Sequence, residues 1–145
     1  GLDGSVRLWN VAKRERLGGD LPAHAEAIVD LALTPDKKTL VTGDKVGNVK
    51  VWNIAKREAV HTIKAHKKSI VAFAMSPDGS RFATVSMDNV IKVWDTAKGT
   101  ELRTWDLHVP FVNNRPFVRS MIFTPDGKQL CTANGNTTVY LLESP

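Results

Sequence analysis

The sequence of 145 residues contains a single cysteine, Cys131, so no disulfide can form within it. No apolar run approaches the roughly 18 residues that cross a bilayer, and the N-terminal residues show no basic region followed by an apolar stretch. We therefore expect neither a membrane segment nor a signal peptide. The lone cysteine fits a reducing compartment, and we expect a cytoplasmic location, although an extracellular domain that needs no disulfide fits equally well.

Neither sign of charge dominates, since the sequence contains 20 lysines and arginines and 15 acidic residues, which gives a formal net charge of +5. With 42% hydrophobic and 24% charged residues, the composition is that of a packed globular domain rather than a disordered tail or a fibre. The basic excess favours acidic partners, nucleic acid or anionic membrane surfaces, depending on where the charges lie.

Three features recur along the chain at intervals of 42 to 48 residues. They are Pro-Asp turns at Pro35, Pro77 and Pro125, tryptophans at Trp9, Trp52 and Trp94, and histidines at His24, His66 and His108. The histidines are 42 residues apart, so the six extra residues of the last unit lie between His108 and Pro125. A fixed period of this length is typical of repeat architectures.

Each unit consists of short segments rich in Val, Ile, Phe, Thr and Trp, divided by Gly, Asp, Asn and Pro, which is a pattern of strands and turns. The first segment of a unit, near 28–34, 70–76 and 118–124, is almost continuously apolar and is expected to be covered on both faces. A second strand follows the Pro-Asp turn, and a third carries the tryptophan. The sequence therefore predicts an all-β chain.

One of these units resembles a complete repeat of the tryptophan-aspartate (WD) repeat family. The resemblance is carried, in order and spacing, by His66, Ser76-Pro77-Asp78-Gly79, Ser86-Met87-Asp88 and Val93-Trp94-Asp95, and similar patterns cover essentially the whole chain. It implies β-propeller blades of four antiparallel strands, named a to d. We expect two complete blades and partial blades at both ends, forming an open portion of a propeller or a self-assembling fragment.

The expected organisation is one WD-repeat segment over residues 1–145. Strands c and d of a partial blade occupy 1–24, complete blades occupy 25–66 and 67–108, and strands a to c of another partial blade occupy 109–145. The end faces of such an open wedge would expose apolar surface. We therefore expect the remaining blades of a longer chain, or further copies of this one, to close the ring.

The resemblance also implies a structural tetrad, which in the blade at 67–108 would be His66, Ser86, Asp88 and Trp94. A buried indole N–H without an acceptor would cost about 1 to 3 kcal/mol, so the network supports the architecture. In the preceding blade Val46 takes the place of the turn aspartate and Asp44 that of the serine, and in the last unit Leu142 replaces the tryptophan. We expect a single intact tetrad, and the blade that holds it to be the most ordered.

A histidine, a serine and a carboxylate are also the components of a catalytic triad, which requires an exposed nucleophile and an oxyanion hole. The tetrad of the WD family instead uses the hydroxyl to receive the tryptophan proton, so we expect no enzyme activity. Cysteine, histidine and carboxylates do not occur at zinc-like spacings. We expect neither a metal nor a cofactor.

The d–a and b–c loops of the blades form one rim, called the histidine rim below, and we expect a protein or peptide partner to bind there. The candidate contact residues are Lys45, Lys67, Lys68, Met87, Phe111, Asn113, Asn114, Arg115 and Arg119. Segment 109–119 mixes aromatic and arginine side chains with two prolines, a composition enriched in binding hot spots. Alternatively, its phenylalanines pack against the next blade and its asparagines form a turn.

The opposite rim carries basic turns at 12–15, 55–58 and 97–99, which leave open a surface for phosphate or nucleic acid. Acidic residues interrupt these turns and no aromatic stacking platform accompanies them, so specific nucleic-acid recognition is not expected. A propeller enzyme is a further alternative, but the sequence shows no clustered acid/base site. The sequence favours a non-catalytic scaffold for protein-protein interaction.

Overall fold

The computed structural model describes residues 1–22, 24–107 and 117–145, and these residues form strands and turns but no helix. The N-terminal partial blade consists of two broken strands. Strand c comprises β1 (Ser5–Val6) and β2 (Trp9–Asn10), and strand d comprises β3 (Glu15–Arg16) and β4 (Leu21–Pro22). β2 pairs with β3 and β1 with β4, each antiparallel, so the two strands form a hairpin.

Two complete blades follow, each a four-stranded antiparallel sheet with its strands in sequence order. The first complete blade contains β5 (Ile28–Leu33), β6 (Thr39–Asp44), β7 (Asn48–Asn53) and β8 (Glu58–Lys64). The second contains β9 (Ile70–Met75), β10 (Arg81–Ser86), β11 (Val90–Asp95) and β12 (Glu101–Asp106). The C-terminal partial blade is a three-stranded sheet of β13 (Val118–Phe123), β14 (Gln129–Asn134) and β15 (Val139–Glu143).

The expected fold is therefore confirmed: the described residues form an all-β chain with two complete blades, partial blades at both ends and no closed ring. Within these residues there is no helix long and apolar enough to cross a membrane.

The Pro-Asp turns between strands a and b repeat one hydrogen-bond arrangement. The hydroxyl before the proline donates to the aspartate two residues later at 2.6 Å, in the pairs Thr34–Asp36, Ser76–Asp78 and Thr124–Asp126. The residue after the aspartate has a positive φ, which favours glycine, and is Gly79 and Gly127 in two of the turns. Lys37 adopts the same conformation in the first turn, where the Cβ makes it less favourable.

Neighbouring blades pack face to face and bury the apolar positions of their strands. Val41 and Val51 of the first complete blade lie in one cluster with Phe73, Phe82 and Trp94 of the second. The opposite face of the second blade packs against the C-terminal partial blade in a further cluster; this cluster includes Ala83, Val93, Met121, Phe123 and Leu130. The core thus lies between the sheets, and each blade depends on its neighbours for burial.

A carboxylate on the innermost strand links the two complete blades. Asp30 accepts a hydrogen bond from the backbone N–H of Phe73 at 2.8 Å through one oxygen, and from that of Leu31 at 2.8 Å through the other. Leu31 and Phe73 occupy the same position in their blades, so the Asp30 carboxylate accepts hydrogen bonds from equivalent backbone amides of both blades. Ala72, which takes the place of Asp30 in the second blade, has no group to repeat this link.

Both ends of the stack expose apolar side chains on a sheet face. Ile122, Val139 and Leu141 are exposed on the C-terminal partial blade, and Leu31 and Leu33 on β5 at the other end. The equivalent faces inside the stack are covered by the next blade. In a closed propeller both of these end faces would be covered by further blades.

Candidate functional site

The histidine rim is continuous across the two complete blades because backbone hydrogen bonds join its loops. The carbonyl of Gly47 in one b–c turn accepts the N–H groups of Ala65 and His66 in the following d–a loop, at 3.1 and 3.0 Å. Met87 in the next b–c turn donates its N–H to the carbonyl of Ser69 at 2.9 Å. The d–a loop at 65–69 is therefore fixed between two b–c turns.

Beneath this rim, the first complete blade contains a closed polar network. The Trp52 indole N–H donates to the Thr42 hydroxyl at 3.0 Å, and that hydroxyl lies 2.8 Å from Nε2 of His24. Nδ1 of His24 lies 3.0 Å from Oδ2 of Asp44. Because an ionised carboxylate only accepts, Nδ1 of the neutral imidazole carries the proton and donates to Asp44, which leaves Nε2 to accept from the Thr42 hydroxyl. Every member has a partner.

This network corrects the expectation that the first complete blade lacks an intact tetrad. Val46 does occupy the turn position, but Asp44 supplies the carboxylate from the end of β6 instead. Asp44 shares a face of the strand with Thr42, since side chains alternate, and this places its carboxylate against the imidazole. Asn48 holds the carboxylate from the other side, through its side-chain amide at 2.9 Å and its backbone N–H at 2.8 Å.

In the second complete blade the network is more open. The Trp94 indole N–H donates to the Thr84 hydroxyl at 3.0 Å, and this hydroxyl lies 2.8 Å from Nε2 of His66. Asp88 is 3.6 Å from Nδ1 of His66, beyond hydrogen-bond distance, and its side chain is 21% exposed. Nδ1 is buried and has no hydrogen-bond partner among the described residues.

The serine expected in this network, Ser86, is not the hydroxyl that the tryptophan contacts; that expectation was wrong. Trp94 is paired with Phe82 across the sheet, and a diagonal step of two residues along β10 reaches Thr84. Ser86 lies two residues further on, where its hydroxyl accepts the backbone N–H of Asp88 at 3.3 Å. A threonine ten residues before each tryptophan, at Thr42 and Thr84, was the signal in the sequence that identifies the correct hydroxyl.

Both imidazoles are held neutral by their surroundings. Burial lowers the pKa of His66 to about 4, and the nearby carboxylate of Asp88 only partly opposes this effect. Burial also lowers the pKa of His24, against the opposing effect of Asp44. Burial works to raise the pKa of Asp44, but the hydrogen bonds it accepts from Asn48, Val46 and His24 outweigh this, and its pKa is lowered. A neutral histidine thus meets an ionised aspartate.

The C-terminal partial blade keeps only part of the pattern. Thr132 corresponds to Thr84, but its hydroxyl donates to the side-chain carbonyl of Asn134 at 3.0 Å. The Asn134 amide continues the chain of hydrogen bonds to the Thr138 hydroxyl at 3.1 Å. Leu142 stands where the other blades have tryptophan, so no indole N–H needs an acceptor here.

These networks are arranged for support rather than for reaction. The Thr42 and Thr84 side chains are fully buried, and each hydroxyl is already shared between an indole and an imidazole. A nucleophile must reach its substrate, which these hydroxyls cannot do. Among the described ranges, no group of three or more histidine, cysteine or acidic side chains is placed to hold a metal ion.

The predicted contact residues occupy different environments on the histidine rim. Lys45 is exposed and forms an ion pair with Glu26 at 2.8 Å. Lys67, Lys68 and Arg119 are exposed, and Met87 is half-buried. The predicted contacts Phe111, Asn113, Asn114 and Arg115 lie outside the described residues.

Two further rim residues were missed by the sequence reasoning. Val46 exposes 44% of its surface on the b–c turn that Gly47 fixes to the following loop. Lys64, at the end of β8, is exposed where the same d–a loop begins. The signal was present in the sequence, since an apolar residue had replaced an aspartate at position 46.

On the opposite rim the basic turns contain their own carboxylates. Lysine and acid lie within 4 Å of each other in the pairs Lys13–Glu15, Lys56–Glu58 and Lys98–Asp95. Arg57 is directed towards the preceding blade and donates to the backbone carbonyls of Leu17 and Gly19. Lys13, Lys56 and Lys98 are therefore balanced close to their own turns, and Arg57 is used in packing between blades.

The arrangement of strands and networks agrees with the comparison to known families. The family described as "WD domain, G-beta repeat" matches residues 16–53 and 57–95, more than half of the chain, so the chain belongs to the WD-repeat family. Repeats of this family are usually non-catalytic and typically serve as scaffolds for protein interaction. No curated protein matches the sequence.

Proposed function

We propose that this chain is a non-catalytic scaffold that binds a peptide or protein partner on the histidine rim. The observation that carries the proposal is the continuity of that rim: two b–c turns and the d–a loop between them are joined by backbone hydrogen bonds. The joined loops present exposed cationic and apolar side chains on rigid support. A surface that is ordered before binding loses less conformational entropy when a partner docks.

The contact set is that of the sequence analysis, Lys45, Lys67, Lys68, Met87, Arg119 and the segment containing Phe111, Asn113, Asn114 and Arg115. Phosphate or nucleic-acid binding on the opposite rim is the weaker candidate, because its basic turns carry their own acids. Recognition of single strands generally adds aromatic side chains that stack on the bases, and the basic turns at 12–15, 55–58 and 97–99 contain none.

The two exposed end faces are proposed to take further WD blades, either of the same polypeptide or of another copy. The support is the repeated packing inside the stack, where equivalent faces are covered by a neighbouring sheet. Burial of apolar side chains such as Ile122 and Leu141 contributes about 25 cal/mol for each Å² removed from water. We also propose a cytoplasmic location, because a single cysteine is compatible with a reducing compartment.

A random peptide library displayed on phage tests the binding function. We expect peptides selected on the chain to lose binding when Lys67, Met87 and Arg119 are replaced together by alanine, and when residues 109–116 are deleted. Alanine at Lys13, Lys56 and Lys98 is the matched control on the opposite rim and should leave binding unchanged. A library that yields no binder, or binders sensitive only to the opposite-rim variant, would contradict the proposal.

A further inference from the structure

We propose that the histidine rim is specific for an acidic segment with flanking apolar residues, which it binds through Lys67 and Lys68 between Val46 and Met87. This inference rests on the proposed function and names the partner chemistry of that same rim. The four residues lie on the three loops that backbone hydrogen bonds join.

The positions of these residues follow from the hydrogen bonds. Gly47, directly after Val46, accepts the N–H of His66, directly before Lys67. On the other side of the loop, Met87 donates to Ser69, directly after Lys68. The two lysines are therefore flanked by one apolar residue on each side. A Cβ on Gly47 would meet the carbonyl oxygens of His66 and Lys68 at 2.4 and 2.6 Å, so the turn and the loop are in close contact.

The side chain of Val46 is available for binding because only the backbone N–H of this residue contributes to the network below, as a donor to Asp44 at 3.0 Å. Its position is the one at which Asp88 stands in the second blade, beside His66. In the first blade Asp44 already holds the imidazole of His24, so the side chain at position 46 is free to project from the rim. The result is an apolar side chain, 44% exposed, next to two lysines where the other blade has a carboxylate.

The basic turns of the opposite rim have acidic residues beside their lysines, and this loop contains none. The stretch 64–69 contains three lysines and no acidic residue. Lys64 and Lys67 take part in no ion pair within the part of the chain that the structure describes, whereas Lys45 is paired with Glu26. On the opposite rim the lysines at 13, 56 and 98 each have a carboxylate within their own turn.

An acidic segment complements this surface in two ways. Its carboxylates are attracted to the lysine side chains. This attraction guides the partner to the rim and disfavours basic or neutral competitors. Apolar side chains on either side of the acids contact Val46 and Met87, and the flexible thioether of a methionine adapts to different partners. A purely polyanionic ligand would use only the first of these contributions.

The direct test is a titration of the full chain with a fluorescent peptide in which glutamate pairs alternate with leucines. We expect saturable binding that weakens as salt rises, since exposed charges are screened over about 10 Å at 0.1 M. A peptide with glutamine for each glutamate should bind at least about tenfold more weakly. Lys67→Glu/Lys68→Glu should weaken binding by a similar factor. Lys37→Glu/Lys38→Glu makes the same change in net charge in the a–b turn between β5 and β6, at the opposite end of the blade, and should not weaken binding.

A second variant isolates position 46. Val46→Asp should weaken binding of the acidic peptide about tenfold by placing a like charge on the rim, while Val46→Thr should change it far less. Because the position is exposed, thermal unfolding should show both variants folded. Equal binding of the glutamate and glutamine peptides, or an equal loss from the Lys37/Lys38 variant, would overturn the inference.

The phage selection separates this inference from the broader proposal. Selected peptides that bind the histidine rim but are not enriched in Asp and Glu would contradict the acidic specificity and leave the scaffold function standing. Peptides that bind elsewhere would contradict both.

Discussion

The two complete blades contain the same tryptophan, threonine and histidine network but obtain its carboxylate from different places. In the first blade Asp44, at the end of strand b, lies 3.0 Å from the imidazole of His24 and is almost fully buried. In the second, Asp88 in the following turn lies 3.6 Å from His66 and is partly exposed. The blade whose sequence departs further from the family pattern is thus the one with the tighter network.

The comparison shows that the network requires a carboxylate at a place in space, not at a place in the sequence. Residues 42 and 44 point to the same face of β6, so an aspartate two residues after the threonine reaches the imidazole directly. The side chain of the turn residue is then not needed in the network, and in this chain it is an exposed valine whose backbone N–H alone donates to Asp44. An aspartate at position 44 in the core of the blade therefore permits an apolar side chain at position 46 on its rim.

Removing each carboxylate in turn should produce the largest contrast between the blades. We predict that Asp44→Ala lowers the free energy of unfolding by about 4 kcal/mol, because it leaves the buried imidazole N–H and the Asn48 amide without their acceptor. Asp88→Ala should cost less than about 1 kcal/mol, since its carboxylate is more distant and partly solvated. Urea denaturation measures both values, and equal losses would show that the two networks do not differ.

Acidification should destabilise the chain through its buried histidines. The pKa of His66 in the folded chain is about 4, below the ordinary value of 6.5, so the unfolded state takes up protons first as the pH falls. The stability that the neutral imidazole provides is complete above pH 6.5 and is lost towards pH 4, by roughly 3 kcal/mol for this shift.

The measurement is the free energy of unfolding as a function of pH, with His66→Asn as the comparison variant. We expect the variant to be less stable at pH 7 but to lose less stability on acidification. The residual slope then belongs to His24 and, towards pH 4, to carboxyl groups such as those of Asp44 and Asp78, whose pKa values are also lowered. An unchanged slope in His66→Asn would contradict the assignment of a buried neutral imidazole.

Two substitutions test whether the hydroxyl of the second network belongs to Thr84 or to Ser86. Thr84→Val keeps the shape of the side chain but leaves the Trp94 indole and His66 Nε2 without a partner, and we predict a loss of about 2 kcal/mol. Ser86→Ala removes only an acceptor for the Asp88 N–H and should cost less than half as much. Thermal denaturation with tryptophan fluorescence reports both. A larger effect of Ser86→Ala would restore the assignment expected from the sequence.

A smaller contrast between the blades concerns Asp30, whose place in the second blade is taken by Ala72. Asp30→Asn should lower stability by about 1 kcal/mol by weakening the hydrogen bond to the Phe73 N–H across the blade junction. Exchange of the Phe73 amide with deuterium, followed by NMR, should accelerate. Glu26→Gln, which removes an exposed ion pair on the rim, is the control that should leave this amide unchanged.

Much of the fold could be predicted from the sequence because the repeat is specific. The regular recurrence of histidine, Pro-Asp turn and tryptophan predicts four-stranded blades, and the strand bounds follow from short β-branched segments between turn residues. Which hydroxyl meets Trp94 was predicted wrongly, because Thr84 and Ser86 share a face and the cross-strand register decides between them. The role of Asp44 was missed for a related reason, since the family motif specifies the turn position.

The rim could be predicted only as a region. Lys67, Lys68 and Met87 follow from loop assignment, but the exposure of Val46 depends on the network beneath it. The ion pair that balances Lys45 joins two loops and cannot be inferred from either alone. The binding role of these residues and the division of the chain into units remain predictions.

The most direct test of the account is a double-variant cycle between positions 44 and 46. If the imidazole of His24 needs a carboxylate at one place in space, Val46→Asp should change the stability of the natural sequence by less than about 0.5 kcal/mol. In an Asp44→Ala background the same change should instead recover stability, by up to about the 1 kcal/mol predicted for Asp88, because the turn aspartate takes the role that Asp88 has in the second blade. Additive effects, with no recovery in the double variant, would contradict the claim that the two residues exchange this function.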